Sequence, residues 1–290
     1  MCKICQKHGA AGKWYLNAKN YLKETAVEYD AHEYLEELWG NLERVYLQKV
    51  YGFVNMKWVT KRINTPLLGR FLKWYANKGF VKDGKKKKLK PAANQGHVGQ
   101  VITLEEAKNI VREKSETVAR ALCPCKYLNR GIKDYCCLAF SPLLEVLPKL
   151  PRYIPKNGLE LLDGDQAAKF IEKMDKKGFV HTIWSGPVPT IIALCSCEIP
   201  SCGSLRLRKF GFNPCWKGEY VAVIDPNNCI GCKKCAPVCQ FGALRFSPVI
   251  NRPIIKPELC FGCGLCQNRC ENKAILLVDR NDIPITRGKY

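Results

Sequence analysis

The sequence predicts an α+β chain in three parts. A basic helical region spans 1–100, a cysteine-rich α+β domain spans 101–219, and a pseudo-twofold (βα)2 domain spans 220–290. Three observations predict this. Helical spacing dominates the first part, capped helices lead into a strand in the second, and one cysteine run occurs twice in the third.

In the first part, Leu35, Leu38, Leu42 and Val45 keep helical spacing, while Glu33, Glu36, Glu37 and Glu43 cover other faces. Thr65 as N-cap and Pro66 at the first turn predict a second helix through Phe71 and Trp74, ending near Gly79. Trp58, Arg62, Arg70, Phe71, Lys73, Trp74 and Tyr75 interleave aromatic rings with positive charge. Such a face suits a core or subunit interface first, with a membrane surface or a nucleic acid as alternatives. The run Lys85–Lys88, between Gly84 and Pro91, reads as a solvated linker, with partner contact as the other reading. Cys2, Cys5 and His8 have metal-ligand spacing but supply only three donors, so a flexible terminus is the competing reading.

The central part opens on a capping box, Thr103 with Glu106, ahead of Ala107, Ile110 and Val111. A further helix starts at Asp163 with Gln166 and stops at Gly178. The segment Phe179–Trp184 then alternates as a strand, which fits either a winged-helix fragment or a general α+β domain. Around these elements lie Cys123-x-Cys125, Cys136-Cys137, Cys195-x-Cys197-x4-Cys202 and Cys215. Close Cys-x-Cys pairs chelate iron or zinc from a turn. The expected third metal site draws on Cys123, Cys125, Cys195, Cys197 and Cys202, as an Fe–S cluster or zinc; unliganded buried thiols are the alternative. His181 reads as a satisfied structural histidine, or else as a ligand or proton relay.

The third part carries Cys229-x2-Cys232-x2-Cys235-x3-Cys239, and the same run recurs as Cys260-x2-Cys263-x2-Cys266-x3-Cys270. Three thiolates at this spacing wrap three corners of a [4Fe–4S] cubane, and a distant cysteine closes the fourth. In the two-cluster arrangement that fourth thiolate comes from the other run. Cys229, Cys232, Cys235 and Cys270 are therefore expected on one cluster, and Cys239, Cys260, Cys263 and Cys266 on the second. Paired zinc ribbons use fewer cysteines at other spacings. The repeat also aligns Ile224 with Ile255, Pro226 with Pro257, Gly231 with Gly262 and Ala243 with Ala274. Each half then reads as a strand, a ligand loop and a short helix. Gly231 and Gly262 are expected to let the backbone approach the cluster.

On these residues, about 220–278 resembles a bacterial-type ferredoxin domain with two [4Fe–4S] clusters. The proline that usually follows the fourth cysteine is replaced by Gln240 and Glu271. Residues 101–290 also loosely resemble poorly characterised iron–sulfur proteins of anaerobes that have a cysteine-rich central domain. The matching pieces are Cys123-Pro124-Cys125-Lys126, Gly178-Phe179-Val180-His181 and Cys195-Ser196-Cys197. The resemblance implies an iron–sulfur protein of an anaerobic host.

Eighteen cysteines, many at x2 spacings, with no secretory signal, point to metal in a reducing cytoplasm. The net charge is +21, more than half of it in residues 1–100. A basic chain of this kind suits an acidic redox partner or a larger oxidoreductase complex, with a membrane surface as a lesser alternative and nucleic acid weakly indicated. No GxGxxG or P-loop anchor is present. The expected role is an electron-transfer protein or subunit, non-catalytic in itself. The alternative is a reductase whose catalytic metal sits at the central cysteines.

Overall fold

The structure, a computed structural model, describes residues 13–16, 31–40, 57–72, 74, 99–113, 118–185, 191–208 and 215–290. Its central element is a seven-stranded sheet. The strands are β1 (Gly99–Ile102), β2 (Val118–Ala121), β3 (Cys137–Ala139), β4 (Glu160–Leu162), β5 (Val180–Ser185), β6 (Ile191–Cys197) and β7 (Cys215–Trp216). Their spatial order is β4-β2-β3-β6-β5-β1-β7, antiparallel throughout except where β7 joins β1 in parallel. The strand after Gly178 is thus no wing. β5 is an interior strand, paired to β1 on one side and β6 on the other.

Both central helices begin where their caps predict. α3 (Leu104–Glu113) starts at Thr103, whose backbone N–H donates to Glu106 Oε2 at 3.0 Å while Glu106 N–H donates to Thr103 Oγ1 at 3.2 Å. α6 (Gly164–Lys176) starts at Asp163, which exchanges the same pair of bonds with Gln166. Each such cap stabilises its helix by about 1 kcal/mol. Successive residues of a strand face opposite sides of the sheet. One side presents Ile102, Leu138, Ile183 and Leu194 to Ala107, Ile110 and Val111 of α3 and to Ala167, Ala168 and Ile171 of α6. The small residues on α6 allow that helix to lie close to the sheet.

The opposite side carries Ala121, Ala139 and Ala193, which pack against α5 (Leu143–Val146) and Leu35 of α1 (Ala31–Gly40). Of the described N-terminal residues, 13–16 and 31–40 are built onto the central domain. Trp14 and Tyr15 enter its core, with Trp14 Nε1 donating to Gln100 Oε1 at 2.6 Å and the Tyr15 hydroxyl to Glu106 Oε1 at 2.9 Å. Further along, α2 (Lys57–Arg62), the turn that follows it and helical residues 66–72 and 74 bury Val59, Ile63 and Leu72 and expose Trp58, Leu67, Phe71 and Trp74. Thr65 holds the N-cap position through its carbonyl, which accepts from Gly69 N–H at 3.0 Å. Its hydroxyl instead turns back to the Arg62 carbonyl. Leu42, Val45, Lys73, Tyr75, Gly79 and the Lys85–Lys88 run lie outside the described residues. Among the described residues no helix is long and apolar enough to cross a membrane.

In the third part, β8 (Tyr220–Ile224) pairs with β11 (Ile275–Asp279), and β9 (Leu244–Ser247) pairs with β10 (Arg252–Ile255). The expected short helix forms only in the second half, as α8 (Leu265–Asn268). Its counterpart in the first half consists of turns. The Asn268 N–H donates to Gly264 O at 3.0 Å and closes a helical turn. Pro237 stands at the matching place and has no N–H to donate.

Candidate metal centres

The cysteine runs leave their strands on turns with left-handed backbone. Gly231 and Gly262 have φ of 71° and 68°. A Cβ at Gly231 would strike the Asn251 carbonyl oxygen, and one at Gly262 the Tyr220 carbonyl oxygen. The neighbouring backbone thus requires glycine at both positions, and Gly262 N–H reaches Cys260 Sγ at 3.4 Å.

Two cavities result. One, of about 350 Å³ with its open mouth included, is lined by Cys229, Cys232, Cys235 and Cys270, with Ile230, Pro253 and Ile275 among its walls. The other, of about 380 Å³ measured the same way, is lined by Cys239, Cys260, Cys263 and Cys266, with Phe241, Phe261 and Leu265. Each cavity takes three thiols from one run and the fourth from the other. Burial, then repulsion from Cys260 and Cys239, pushes the Cys266 thiol up to about 12. Burial, then repulsion from Cys270, Cys232 and Cys229, raises Cys235. Four such groups ionise together only with a cation among them.

The donor sets fit a cubane, and the protein around the second cavity fits its charge. Arg280 is fully buried; its Nη2 donates to the carbonyls of Tyr220 at 2.8 Å and Cys260 at 2.9 Å, and its Nε to Gly218 O at 2.7 Å. Its Nη1 has no partner among the described residues. Glu219 and Asp279 already act on this buried guanidinium, and its spare donor beside Cys260 suits a further anion such as an iron centre bearing four thiolates.

Gln240 and Glu271, where proline is usual, have separate tasks. Gln240 accepts from Ile199 N–H at 2.8 Å and donates to Gly178 O at 2.6 Å, tying the second cavity to the central domain. Proline could do neither. Glu271 instead pairs with Lys234 at 2.7 Å on the exposed surface.

The central cysteines converge as well. Register places Ala121, Cys137, Cys195 and Thr182 in one row across β2, β3, β6 and β5, with Cys197 on the same face one step along. Cys123 and Cys125 arrive at the start of α4 (Pro124–Arg130), where Pro124 fixes the first turn, and Cys202 caps α7 (Gly203–Leu207). The sulfurs of Cys123, Cys136 and Cys137 lie within 4.8 Å of one another. From Cys123 the sulfur contacts run to Cys125, Cys202, Cys197, Cys195 and Cys137, and back to Cys123. The five residues expected together are thus joined by Cys136 and Cys137, which the sequence reading left out. Their signal was a vicinal pair on a short strand, putting one thiol on the same face as Cys195.

The contact with Cys123, with burial added, pushes Cys125 up to about 12. Cys197 is the exception, held well below the usual thiol range by donors from Cys195, then Cys202, then Thr182. Thr182 Oγ1 accepts from Trp184 Nε1 at 2.8 Å, which leaves its own hydrogen for Cys197 Sγ at 3.4 Å. Cys215 is buried in the apolar group that holds Cys197 and Cys202, with its thiol directed at the Trp216 carbonyl. His181 is on the other sheet face from Thr182, with Nδ1 3.4 Å from Ser196 Oγ and Nε2 3.8 Å from Asp175 Oδ1. Burial holds it down at about 4, so it is neutral. Cys2, Cys5 and His8 lie outside the described residues.

Residues 228–274 match the family model of a 4Fe-4S dicluster domain. No curated protein and no solved structure matches the chain. Over these residues the chain is therefore similar to 4Fe-4S-binding domains, a class of centre that supports electron transfer.

Proposed function

We propose that the chain relays single electrons through two [4Fe–4S] clusters to or from an oxidoreductase partner in an anaerobic cytoplasm. The observation that carries this is the crossed lining of the two cavities, three thiols from one run with the fourth from the other. Cys229, Cys232, Cys235 and Cys270 would hold the first cluster; Cys239, Cys260, Cys263 and Cys266 the second. Such groups accept and release one electron at a time. Residues around them set burial and charge: Arg280 at the second, the exposed Lys234–Glu271 pair near the first.

The net charge of +21 supports docking of an acidic redox protein or complex. Docking of that kind weakens as salt rises and the screening length shrinks, to ~10 Å at 0.1 M. A membrane surface is a lesser reading for the exposed Trp58, Phe71 and Trp74 beside Arg62 and Arg70.

The test is a pair of variants of the full chain purified without oxygen. Cys229→Ser and Cys260→Ser should each lose about four irons and one reduced-cluster resonance. Unchanged iron in both would sink the ligand assignment. A second reading, a reductase with its catalytic centre at the central cysteines, is favoured by one observation: Cys263 packs in one apolar group with Cys197 and Cys202. That reading requires a metal among the central thiols.

A further inference from the structure

We infer that the ring of central cysteines is a polynuclear metal site, ligated by thiolates and separate from the two ferredoxin cavities. The sulfurs of Cys123, Cys136 and Cys137 lie within 4.8 Å of one another, Cys125 and Cys195 pack against them, and Cys195 packs in turn against Cys197 and Cys202, which closes the ring. They come from four places in the chain: the start of α4, strand β3 with the residue before it, strand β6, and the start of α7. Convergence from four separate elements is not a local accident of one loop. Five of the seven are buried and the other two half-buried.

Apolar packing alone does not account for the arrangement. A buried free cysteine behaves as a small hydrophobe, and such residues pack as readily against leucine as against sulfur. Here the ring borders the Thr182 hydroxyl, which is turned onto Cys197; the Lys126 ammonium nearby is paired with Asp134 at 2.5 Å. A hydroxyl donor beside sulfur is what an anionic thiolate centre uses.

The number of thiols selects the class. One tetrahedral zinc or one cubane takes four thiolates. Seven exceed that, so a single closed four-thiolate site leaves three sulfurs unexplained. Two or more metal ions sharing bridging thiolates, or bridged by sulfide, use them all. The ligand class is a thiophilic metal, either iron with sulfide or zinc. Cys197 and Cys202 pack in the same apolar group as Cys263, so the site lies against the second ferredoxin cavity. Metal binding here does not rest on the relay proposed above, since it uses none of the eight cysteines of the repeat.

The test compares full-length protein with Cys137→Ala/Cys195→Ala, both purified without oxygen, for iron, zinc and acid-labile sulfide per chain. The expected result is a loss of about two or more metal ions from the variant, while the visible spectrum of the ferredoxin clusters is retained. Loss of iron with sulfide identifies an iron–sulfur centre, and loss of zinc a zinc–thiolate cluster; either supports the site. The difference is independent of how many irons the repeat holds, so failure of the two-cluster reading appears separately, as low iron in both proteins. Cys125→Ala/Cys202→Ala, at the other edge of the ring, serves if the first variant does not fold. Equal metal in wild type and variants overturns the proposal. So does mass spectrometry of the wild type showing the seven cysteines as disulfides or as metal-free thiols.

Discussion

Cys232 lies exposed beside Ile230, which is 67% exposed, whereas its repeat counterpart Cys263 packs with Leu265 and Phe261 against the central domain. The two ligand loops share their spacing and their left-handed glycines, yet one cavity faces outward and the other is docked. The difference is made by residues the repeat does not share. Gln240 reaches Gly178 and Ile199, and Asn268 Nδ2 donates to Asp175 Oδ1 at 2.9 Å. Arg280 then places a buried cation next to Cys260 alone. A repeat can therefore supply two equal ligand sets while the surroundings make two unequal centres.

The largest expected effect tests that inequality directly. Arg280→Met leaves the Gly218, Tyr220 and Cys260 carbonyls without their donor and removes the cation. It should cost roughly 3–5 kcal/mol in unfolding free energy. In protein that still folds, one reduction potential should fall by on the order of 100 mV and the other stay put. Arg280→Lys should restore most of the potential. Equal shifts of both potentials in a redox titration would refute the contrast.

Acidification should loosen the docked half first. His181 is held at about 4 by burial, against its ordinary 6.5, so the unfolded chain binds its proton more readily. Stability from this group is full above about 6.5 and is lost as pH falls towards about 4, by up to roughly 3 kcal/mol. Asp175 works in the opposite sense. Burial raises its carboxyl, so the folded form gains that proton more readily and offsets part of the loss. Hydrogen exchange at residues 178–181 and 268–269 should quicken on acidification before that at 229–235, and His181→Gln should flatten the dependence. Exchange that quickens equally in both halves would argue against it.

Gln240→Pro, which restores the usual residue, should remove two bonds across the contact and cost about 2 kcal/mol, with iron content unchanged. Glu271→Pro touches only an exposed pair, and its midpoint of unfolding should match wild type. If Gln240→Pro also left the midpoint unchanged, the tie to the central domain would carry no energy.

The smallest effect belongs to Pro237→Ala. With an N–H restored at this position, the turn at 234–237 should take up the helical bond seen at Asn268, detected as new protection of the residue 237 amide. No protection there would mean that the missing N–H of Pro237 is not what keeps the first half from forming the helix.

Much was legible because it is local. The capping boxes at Thr103 and Asp163, the stop at Gly178 and the paired cysteine runs are short-range patterns whose physics is complete within a few residues. The α+β class followed from them. The seven-stranded sheet was not legible, because β2, β3, β4 and β7 are two to four residues long and carry no measurable period. Cys136 and Cys137 were missed for the same reason. Their meeting with Cys123 and Cys195 depends on strand register, which pairing across the chain fixes.

By itself the sequence determined the ligands' chemistry: eight thiols in two runs, spaced so that neighbouring side chains must converge. Spacing along a turn is a covalent constraint and needs no tertiary contact. The tertiary structure decided which cavity is docked, what stands in for the missing prolines, and that seven further thiols meet. Those outcomes depend on contacts between residues far apart in the chain, such as Gln240 with Gly178 and Arg280 with Cys260. No local pattern encodes them.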